Sequence, residues 1–193
     1  LDVGAGTGHF IRAAKKDGWD VKGIEPNSTA REIANTKSHN SVFGEKMLSG
    51  FPAASFDVIT LWHVLEHLPN LEEDIKTFKK ILKPNGRIIV AVPNFKSHDS
   101  EHFKNFWAGY DVPRHLWHFS KDSIASVFSK VKLSLESTHP MLMDSYYVSM
   151  LSNKHQTGSH NILSSLRTGF ISNFKASKTG EYSSLIYVLK NKV

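Results

Sequence analysis

Glycines alternate with other residues in segment 2–8 of the chain, which reads DVGAGTG. Such a turn lets the chain reverse tightly and leaves backbone N–H groups open to a ligand. The spacing is G-x-G-x-G, not the G-x-G-x-x-G of dinucleotide-binding folds. Glu25 follows the next apolar segment, where a carboxylate can accept hydrogen bonds from both hydroxyls of a ribose. The turn and the acid together predict a nucleoside ligand, although glycines after a strand can also serve packing alone.

Aromatic side chains are concentrated in segment 106–119, which holds five aromatic residues and two histidines. The segment could form a pocket that encloses an apolar substrate and excludes water, or it could be a hydrophobic cluster packed under a long loop. On the first interpretation Trp107, Tyr110 and Trp117 contact the substrate. Arg114 would then bind an acidic group on it.

Histidine is suited to take a proton from a hydroxyl or an amine near neutral pH. The main candidates for such a catalytic base are His115, His118 and His67, with His63 as a further possibility, and the sequence does not decide among them or whether a base is needed. His63, Glu66 and His67 also have the spacing of an inverted zinc-hydrolase motif, but a proline two residues later interrupts the helix that this motif needs. We therefore expect no bound metal, with a divalent ion as a minor alternative, and expect Glu66 and His67 to orient their loop.

Strand-like and helix-like segments alternate along most of the chain and would position these side chains. The alternation predicts an α/β fold with a parallel sheet covered on both faces. In such a sheet the ligand crevice lies beyond the carboxyl ends of the strands, where the glycine turn and the loop 95–119 begin. The predicted strands are 1–3, 21–24, 41–43, 56–62, 87–92, 132–137 and 182–189, and the predicted helices are 10–16, 26–37, 71–82 and one that begins after Ser120.

Length and composition restrict the class of protein. The 193 residues suit one domain, and 40% hydrophobic with 22% charged residues is ordinary globular usage. The absence of cysteine excludes disulfides and thiolate chemistry and suits the reducing cytoplasm. The net charge of +6 includes no dense basic run, so we expect a solvated surface, not a nucleic-acid footprint. No apolar run reaches the roughly 18 residues of a membrane helix.

Two long segments, 95–119 and 139–181, do not fit the alternation. Loops of this length in a compact domain are usually functional covers or disordered segments. We expect the apolar residues of 139–147 to pack in a core or a dimer interface, and part of 152–179 to be disordered. Because strand-like sequence begins at residue 1, we also expect that an N-terminal part of the protein is missing.

Four segments in order resemble the motifs of class I S-adenosylmethionine-dependent methyltransferases. They read LDVGAGTG at 1–8, GIEP at 23–26, FDVI at 56–59 with LEHL at 65–68, and LKPNG at 82–86. The most similar group includes the ubiquinone-biosynthesis O-methyltransferases and uncharacterised bacterial relatives. The resemblance implies a doubly wound, Rossmann-like, seven-stranded, mostly parallel sheet in a single domain, 1–193. Its cofactor-binding half would be 1–94, and its acceptor-side half, 95–193, would carry the insertion 139–181 over the acceptor pocket.

The resemblance also implies S-adenosylmethionine as the cofactor. Asp2 and the glycine turn would face its methionine part, Glu25 its ribose, and residues 61–63 its donor methyl group. The segment that often supplies an Asp for the adenine reads GEKML at 44–48, so Glu45 or the backbone near Met47 would take that place. The implied cofactor-binding residues are Asp2, Gly4, Ala5, Gly6, Gly8, Glu25, Pro26, Glu45, Met47, Leu61, Trp62 and His63.

The implied reaction is in-line transfer of the methyl group to an O, N or C nucleophile, leaving S-adenosylhomocysteine. A small-molecule acceptor is the first choice. The missing cysteines exclude routes through a cysteine or an iron–sulfur cluster. An RNA- or protein-modifying enzyme and a non-catalytic cofactor-binding protein are the alternatives. We expect a cytoplasmic monomer or homodimer that binds no nucleic acid.

Overall fold

The computed structural model describes residues 1–159 and 161–192, and these contain one sheet of seven strands. The strands lie in the order β3-β2-β1-β4-β5-β7-β6. Strands β1 to β5 pair in parallel, whereas β7 runs antiparallel to both β5 and β6. The prediction of a mostly parallel, Rossmann-like α/β sheet is confirmed. The strands are β1 (Asp2–Val3), β2 (Gly23–Ile24), β3 (Val42–Phe43), β4 (Phe56–Trp62), β5 (Leu82–Pro93), β6 (Leu133–Pro140) and β7 (Ser184–Asn191).

Helices flank the sheet and extend from its carboxyl edge. They are α1 (His9–Lys16), α2 (Ser28–Ser38), α3 (Leu71–Ile81), α4 (His98–Phe103), α5 (Lys121–Ser129), α6 (Asp144–Thr157) and α7 (Ile162–Thr179). Within the described part of the chain, no helix has both the length and the apolar character needed to cross a bilayer.

The main core lies between the sheet and helices α3 and α5. Phe78 of α3 and Phe128 of α5 are fully buried there with Ile88 and Val90 of β5. Ile89, between these two strand residues, points to the other face and lines a groove beside α1. A separate, smaller cluster joins α1, α2 and β3. Apolar side chains on both faces explain why the central strands have continuous hydrophobic sequence.

Strand β5 begins five residues before the predicted start at residue 87. Helix α3 ends at Ile81, and Leu82 pairs at once with Phe56 of β4. A register shift between Phe56 and Val58 absorbs the mismatch, so segment 82–86 extends the strand instead of forming only a turn.

For the described residues of 152–179 the expectation of disorder is wrong, because they form the end of α6 and all of α7. The expectation also covers residue 160, which lies outside the described residues. These two helices and α4 pack on one another after the carboxyl ends of β5 and β6. Polar sequence misled the prediction because the packed faces of α6 and α7 consist largely of small polar residues. Ser149, Ser152, Ser165 and Ser172 are all buried. We call the unit formed by α4, α6 and α7 the helical insertion.

A buried carboxylate, Asp99 of α4, attaches the helical insertion to the sheet. It accepts hydrogen bonds from the Trp107 indole N–H at 2.8 Å, from the Ser172 hydroxyl at 2.6 Å and from the Ser183 hydroxyl at 2.7 Å. Ser172 belongs to α7, and Ser183 immediately precedes β7. One side chain therefore connects three parts of the chain that are far apart in sequence.

Replacing Asp99 with alanine is expected to lower the free energy of unfolding by about 2–3 kcal/mol, because three buried donors lose their acceptor. Urea denaturation followed by circular dichroism measures this change. The control is Asp122→Ala, since Asp122 is an exposed acid whose ion pair is with the exposed Lys96. Equal losses in the two variants would contradict the role assigned to Asp99.

Candidate active site

The glycine turn between β1 and α1 requires backbone that favours glycine. The φ angle is +76° at Gly4, +53° at Gly6 and +79° at Gly8. The N–H groups of Gly4 and Ala5 donate to the Ile24 carbonyl at 2.8 and 3.0 Å. These bonds hold the turn against the end of β2.

The space beside the three glycines differs. A Cβ added at Gly4 would lie 2.3 Å from Val64 Cγ2, and one added at Gly8 would lie 2.9 Å from Ala34 Cβ. The fold itself therefore needs these two glycines. At Gly6 no described atom lies within 4 Å of an added Cβ. The turn thus leaves open space beside Gly6, which is what a ligand approaching the backbone needs.

Glu25, at the end of β2, closes the glycine turn. Its carboxylate accepts hydrogen bonds from the Gly6 N–H at 2.7 Å and from the Asn27 N–H at 2.9 Å. Each carboxylate oxygen has a second lone pair, so both can accept a further bond from a hydroxyl. The structure therefore brings together the two features from which the sequence predicted a nucleoside ligand.

Other predicted cofactor residues lie around this turn or behind it. Asp2 is buried and accepts a hydrogen bond from the Thr60 hydroxyl at 2.7 Å, and burial raises its pKa to about 6. Pro26 is exposed directly after Glu25, and Glu45 and Met47 are exposed in a 3₁₀ turn, Glu45–Gly50, that follows β3.

The end of β4 places Leu61 inside the core and leaves Trp62 half-buried. The Trp62 ring meets Phe10 of α1 edge to face, with 5.4 Å between the ring centroids. Both rings line a groove of about 700 Å³ that runs along the α1 side of β4. Asp2 also lines this groove, whereas Gly6 and Glu25 do not. The groove is therefore a separate feature from the crevice at the glycine turn.

His63 follows β4 in a left-handed backbone conformation, with φ at +53°. Its Nδ1 lies 3.3 Å from a Glu66 carboxylate oxygen, and its Nε2 lies 3.3 Å from an Asp144 carboxylate oxygen. Burial disfavours the charged ring, but the two carboxylates outweigh burial and raise the pKa of His63 to about 9. At neutral pH the ring is an imidazolium ion, so it cannot accept a proton.

Asp144 is a site residue that sequence reasoning missed, since segment 139–147 was assigned only to packing. It begins α6 and joins the helical insertion to the end of β4 through His63. The sequence held one indication that Asp144 has a special role, since Asp144 and Glu181 are the only acids after residue 138.

His67 and His115 are brought together by the loop that follows α4. The N–H of Leu116 donates to the Glu66 carbonyl at 2.8 Å, which holds this loop on the turn after β4. The two imidazole rings then meet edge to face, with 4.7 Å between their centroids. The Nδ1 atom of each ring forms a hydrogen bond with a backbone carbonyl oxygen. His67 Nδ1 lies 3.0 Å from the Arg114 oxygen, and His115 Nδ1 lies 2.9 Å from the Gly109 oxygen. The Nε2 atoms are therefore the nitrogens available to accept a proton or bind a metal ion.

Burial distinguishes the two rings. His115 is mostly buried, and burial lowers its pKa below the ordinary value, although the Gly109 carbonyl acts in the opposite direction. His67 is exposed. His115 is thus neutral at pH 7, with a free Nε2 whose nearest acid, Asp111, lies 3.8 Å away.

Glu66, His67 and His115 offer ligand atoms that all lie within 4.8 Å of one another. Two imidazoles and a carboxylate are ligands that suit Zn²⁺ better than Mg²⁺. Glu66 already faces His63, and its two oxygens have no hydrogen-bond partner among the described residues. The expectation that the chain binds no metal stays a prediction.

The remaining residues of segment 106–119 have different surroundings. Trp107 is buried in the small core of the helical insertion with Phe103 and Val148, a position that favours packing over substrate contact. Arg114 is exposed and pairs with Asp111 at 2.6 Å.

Tyr110 and His118 contact each other edge to face, with 5.0 Å between ring centroids, and His118 Nε2 lies 3.0 Å from the Tyr110 carbonyl oxygen. Trp117 is partly exposed and donates its indole N–H to the Leu68 carbonyl at 2.8 Å. The loop is therefore held by specific polar contacts, not by aromatic packing alone.

Comparisons with known proteins agree with this fold and site. A family model described as a methyltransferase domain matches residues 1–138. An uncharacterised methyltransferase from Alkaliphilus oremlandii is 33% identical over 103 residues, which is 51% of this chain and 47% of that protein. A ubiquinone biosynthesis O-methyltransferase from Paraburkholderia phymatum is 30% identical over 102 residues, 49% of this chain and 44% of that protein. The chain spans about half the length of these curated relatives.

One solved structure is similar in fold to this chain over its whole length. Phosphoethanolamine N-methyltransferase 2 from Haemonchus contortus, in complex with S-adenosylmethionine, superposes with a TM-score of 0.65 at 16% identity, covering 100% of this chain and 48% of that one. At this identity the likeness establishes the fold.

The strand order, the glycine turn and the acid after β2 define the class I S-adenosylmethionine-dependent methyltransferases. The chain belongs to the methyltransferase-domain family, whose model covers its first 138 residues. S-adenosylmethionine is the cofactor of this class, and the open space beside Gly6 with the Glu25 carboxylate fits its nucleoside part.

Replacing Gly6 with alanine is expected to weaken S-adenosylhomocysteine binding by about 10-fold, because the added methyl group occupies the space beside the turn. The matched control is Gly18→Ala. Gly18 also has a positive φ, +88°, and no described atom within 4 Å of an added Cβ, but it lies at the far end of α1. The two variants should lose similar thermal stability, and calorimetric titration should separate them by affinity. Equal affinities would contradict the placement of the cofactor beside Gly6.

Proposed function

We propose that this protein transfers a methyl group from S-adenosylmethionine to an O, N or C nucleophile of a small molecule. The observation that carries the proposal is the contact between Glu25 and the glycine turn. The Glu25 carboxylate accepts a hydrogen bond from the Gly6 N–H, while the space beside Gly6 is open. This arrangement supports a nucleoside-bearing cofactor at the carboxyl ends of β1 and β2. S-adenosylmethionine supplies a methyl group on a sulfonium, which is already activated toward displacement.

The residues that follow β4 would prepare the acceptor. His115 lies in the loop held on the turn after β4, and its neutral ring has Nε2 available. We assign His115 as the base that takes a proton from a hydroxyl or amine acceptor, with Asp111 near enough to stabilise the resulting imidazolium ion. His63 is excluded from this role by its charge at neutral pH.

The helical insertion would cover the acceptor. It lies beyond the carboxyl ends of β5 and β6, on the side of the sheet where the crevice opens. The ion pair of His63 with Asp144 joins the end of β4 to the start of α6. This contact would hold the cover over the reacting groups and exclude water from them.

The test combines calorimetry with a methyl-transfer assay. S-adenosylmethionine and S-adenosylhomocysteine should bind, and a panel of small phenols, amines and carbon acids should include acceptors that take up labelled methyl. Tighter binding of NAD than of both adenosyl ligands would overturn the proposal.

Two further outcomes would replace the proposal by its alternatives. Cofactor binding without turnover over the whole panel would indicate a non-catalytic binding protein. RNA binding with a steep dependence on salt concentration would indicate a nucleic-acid-modifying enzyme.

A further inference from the structure

Helix α7 carries an apolar stripe on its outward face. Leu163, Leu166, Phe170 and Phe174 follow one another at spacings of three and four residues, so they share one side of the helix. They are 80%, 50%, 63% and 58% exposed. Single exposed apolar residues are ordinary, but a contiguous row on one helix face indicates an interaction surface. We call these four residues the outer stripe.

The inward face of α7 has the opposite character. Ser165, Thr168, Gly169 and Ser172 are buried against the rest of the helical insertion. At Gly169 an added Cβ would lie 3.0 Å from the Tyr146 Cα of α6, so the two helix backbones approach closely. Small residues inside and large apolar residues outside reverse the usual arrangement in water, and small residues between helices are typical of helices that meet in lipid.

Two buried hydroxyls of this interface, those of Ser165 and Ser152, are satisfied within the helical insertion, whereas the Ser149 hydroxyl has no hydrogen-bond partner among the described residues. The Ser165 hydroxyl donates to the Asn161 carbonyl at 2.7 Å and accepts the Asn153 side-chain N–H at 2.8 Å. The Ser152 hydroxyl donates to the Val148 carbonyl at 2.7 Å. The inward face of α7 is therefore buried within the helical insertion without any part of the outer stripe, which stays exposed.

Charge identifies the partner. Segment 145–179 contains four lysine or arginine residues and no acidic residue. The helical period places Arg167 and Lys178 beside the outer stripe, and the Lys178 ammonium lies 5.3 Å from the centroid of the Phe174 ring. An apolar face flanked by two basic residues, in a segment without acidic residues, complements an anionic lipid surface. A second copy of the chain would bring like charges together on this face.

We propose that the outer stripe docks α7 on the surface of an anionic lipid bilayer. The four apolar side chains would enter the boundary between headgroups and acyl chains, while Arg167 and Lys178 would meet the lipid phosphates. The stripe contains none of the residues assigned to methyl transfer, so the proposal is independent of the proposed function.

Vesicle flotation tests this docking with the whole 193-residue chain. Vesicles of phosphatidylcholine with about 30 mol% phosphatidylglycerol should bind the protein about 10-fold more tightly than pure phosphatidylcholine vesicles, and high salt should reduce the difference. The double variant Leu163→Ser with Phe170→Ser should weaken binding to the anionic vesicles by about 10- to 100-fold. Arg167→Gln with Lys178→Gln should remove most of the preference for anionic lipid.

The matched control is Trp19→Ser with Val112→Ser. These residues are 57% and 73% exposed and lie outside the helical insertion, so their loss should leave vesicle binding unchanged. Retained circular dichroism and retained S-adenosylhomocysteine binding show that each variant is folded. Equal binding by the stripe variant and the control variant would overturn the proposal. So would a dimer, seen by sedimentation, that the stripe variant dissociates while the wild-type chain fails to bind vesicles.

Discussion

Replacing His115 with alanine is expected to lower the turnover number by about 10²- to 10⁴-fold on an acceptor that must lose a proton. The neutral, mostly buried ring has its Nδ1 bound to the Gly109 carbonyl, so only Nε2 can receive the proton. Cofactor affinity should stay the same, because His115 lies in the loop after α4 and not at the glycine turn. Steady-state assays with calorimetric titration of S-adenosylhomocysteine measure both quantities.

The pH profile gives a second readout for His115. Because burial lowers its pKa, the wild-type enzyme should gain activity as pH rises through values below about 6.5 and then stay level near neutrality. The variant should lack this rise. His118→Ala is the control, since His118 lies in the same loop but is exposed and has its Nε2 at the Tyr110 carbonyl. A larger loss of turnover in the His118 variant would reassign the base.

Replacing Glu25 with alanine is expected to weaken binding of S-adenosylmethionine and S-adenosylhomocysteine by about 100- to 1,000-fold. Two charge-assisted hydrogen bonds to the ribose would be lost, each with a net contribution of about 1.5–3 kcal/mol. The glycine turn also loses the acceptor of the Gly6 N–H. The cofactor affinity of Glu25→Gln should lie between those of the wild type and Glu25→Ala, because an amide can accept on one atom only.

Glu32→Ala is the control for the change of net charge, since Glu32 is an exposed acid on α2. Thermal unfolding without ligand separates any loss of stability at Glu25 from the loss of affinity. Unchanged affinity in the Glu25 variant would remove the ribose assignment, whereas the methyltransferase fold would stand on its strand order.

The sequence was informative where the interacting residues belong to neighbouring strands and turns. The glycine turn and Glu25 each follow a short apolar strand, and consecutive parallel strands end at the same edge of the sheet. The helical period of α3 likewise identified its buried face.

The helical insertion shows where this reasoning failed. Apolar residues on one face of a helix normally mark the face that packs, but in α7 the packed face consists of Ser165, Thr168, Gly169 and Ser172. Composition alone therefore resembled a disordered segment, and no periodic rule based on hydrophobicity could orient the helix. Trp107 posed the same difficulty, since an aromatic residue in a loop can line a pocket or fill a small core.

The sequence by itself indicated the class of the protein, because the glycine turn and the acid follow from local patterns and four ordered segments resemble the motifs of that class. The strand order is known from the structure. Only the tertiary structure decided which polar side chains meet. Asp99 joins Ser183, and His63 joins Asp144, across more than 80 residues of chain. Contacts over such separations depend on how whole helices pack on the sheet, and that packing also sets the charge of His63 and the neutrality of His115.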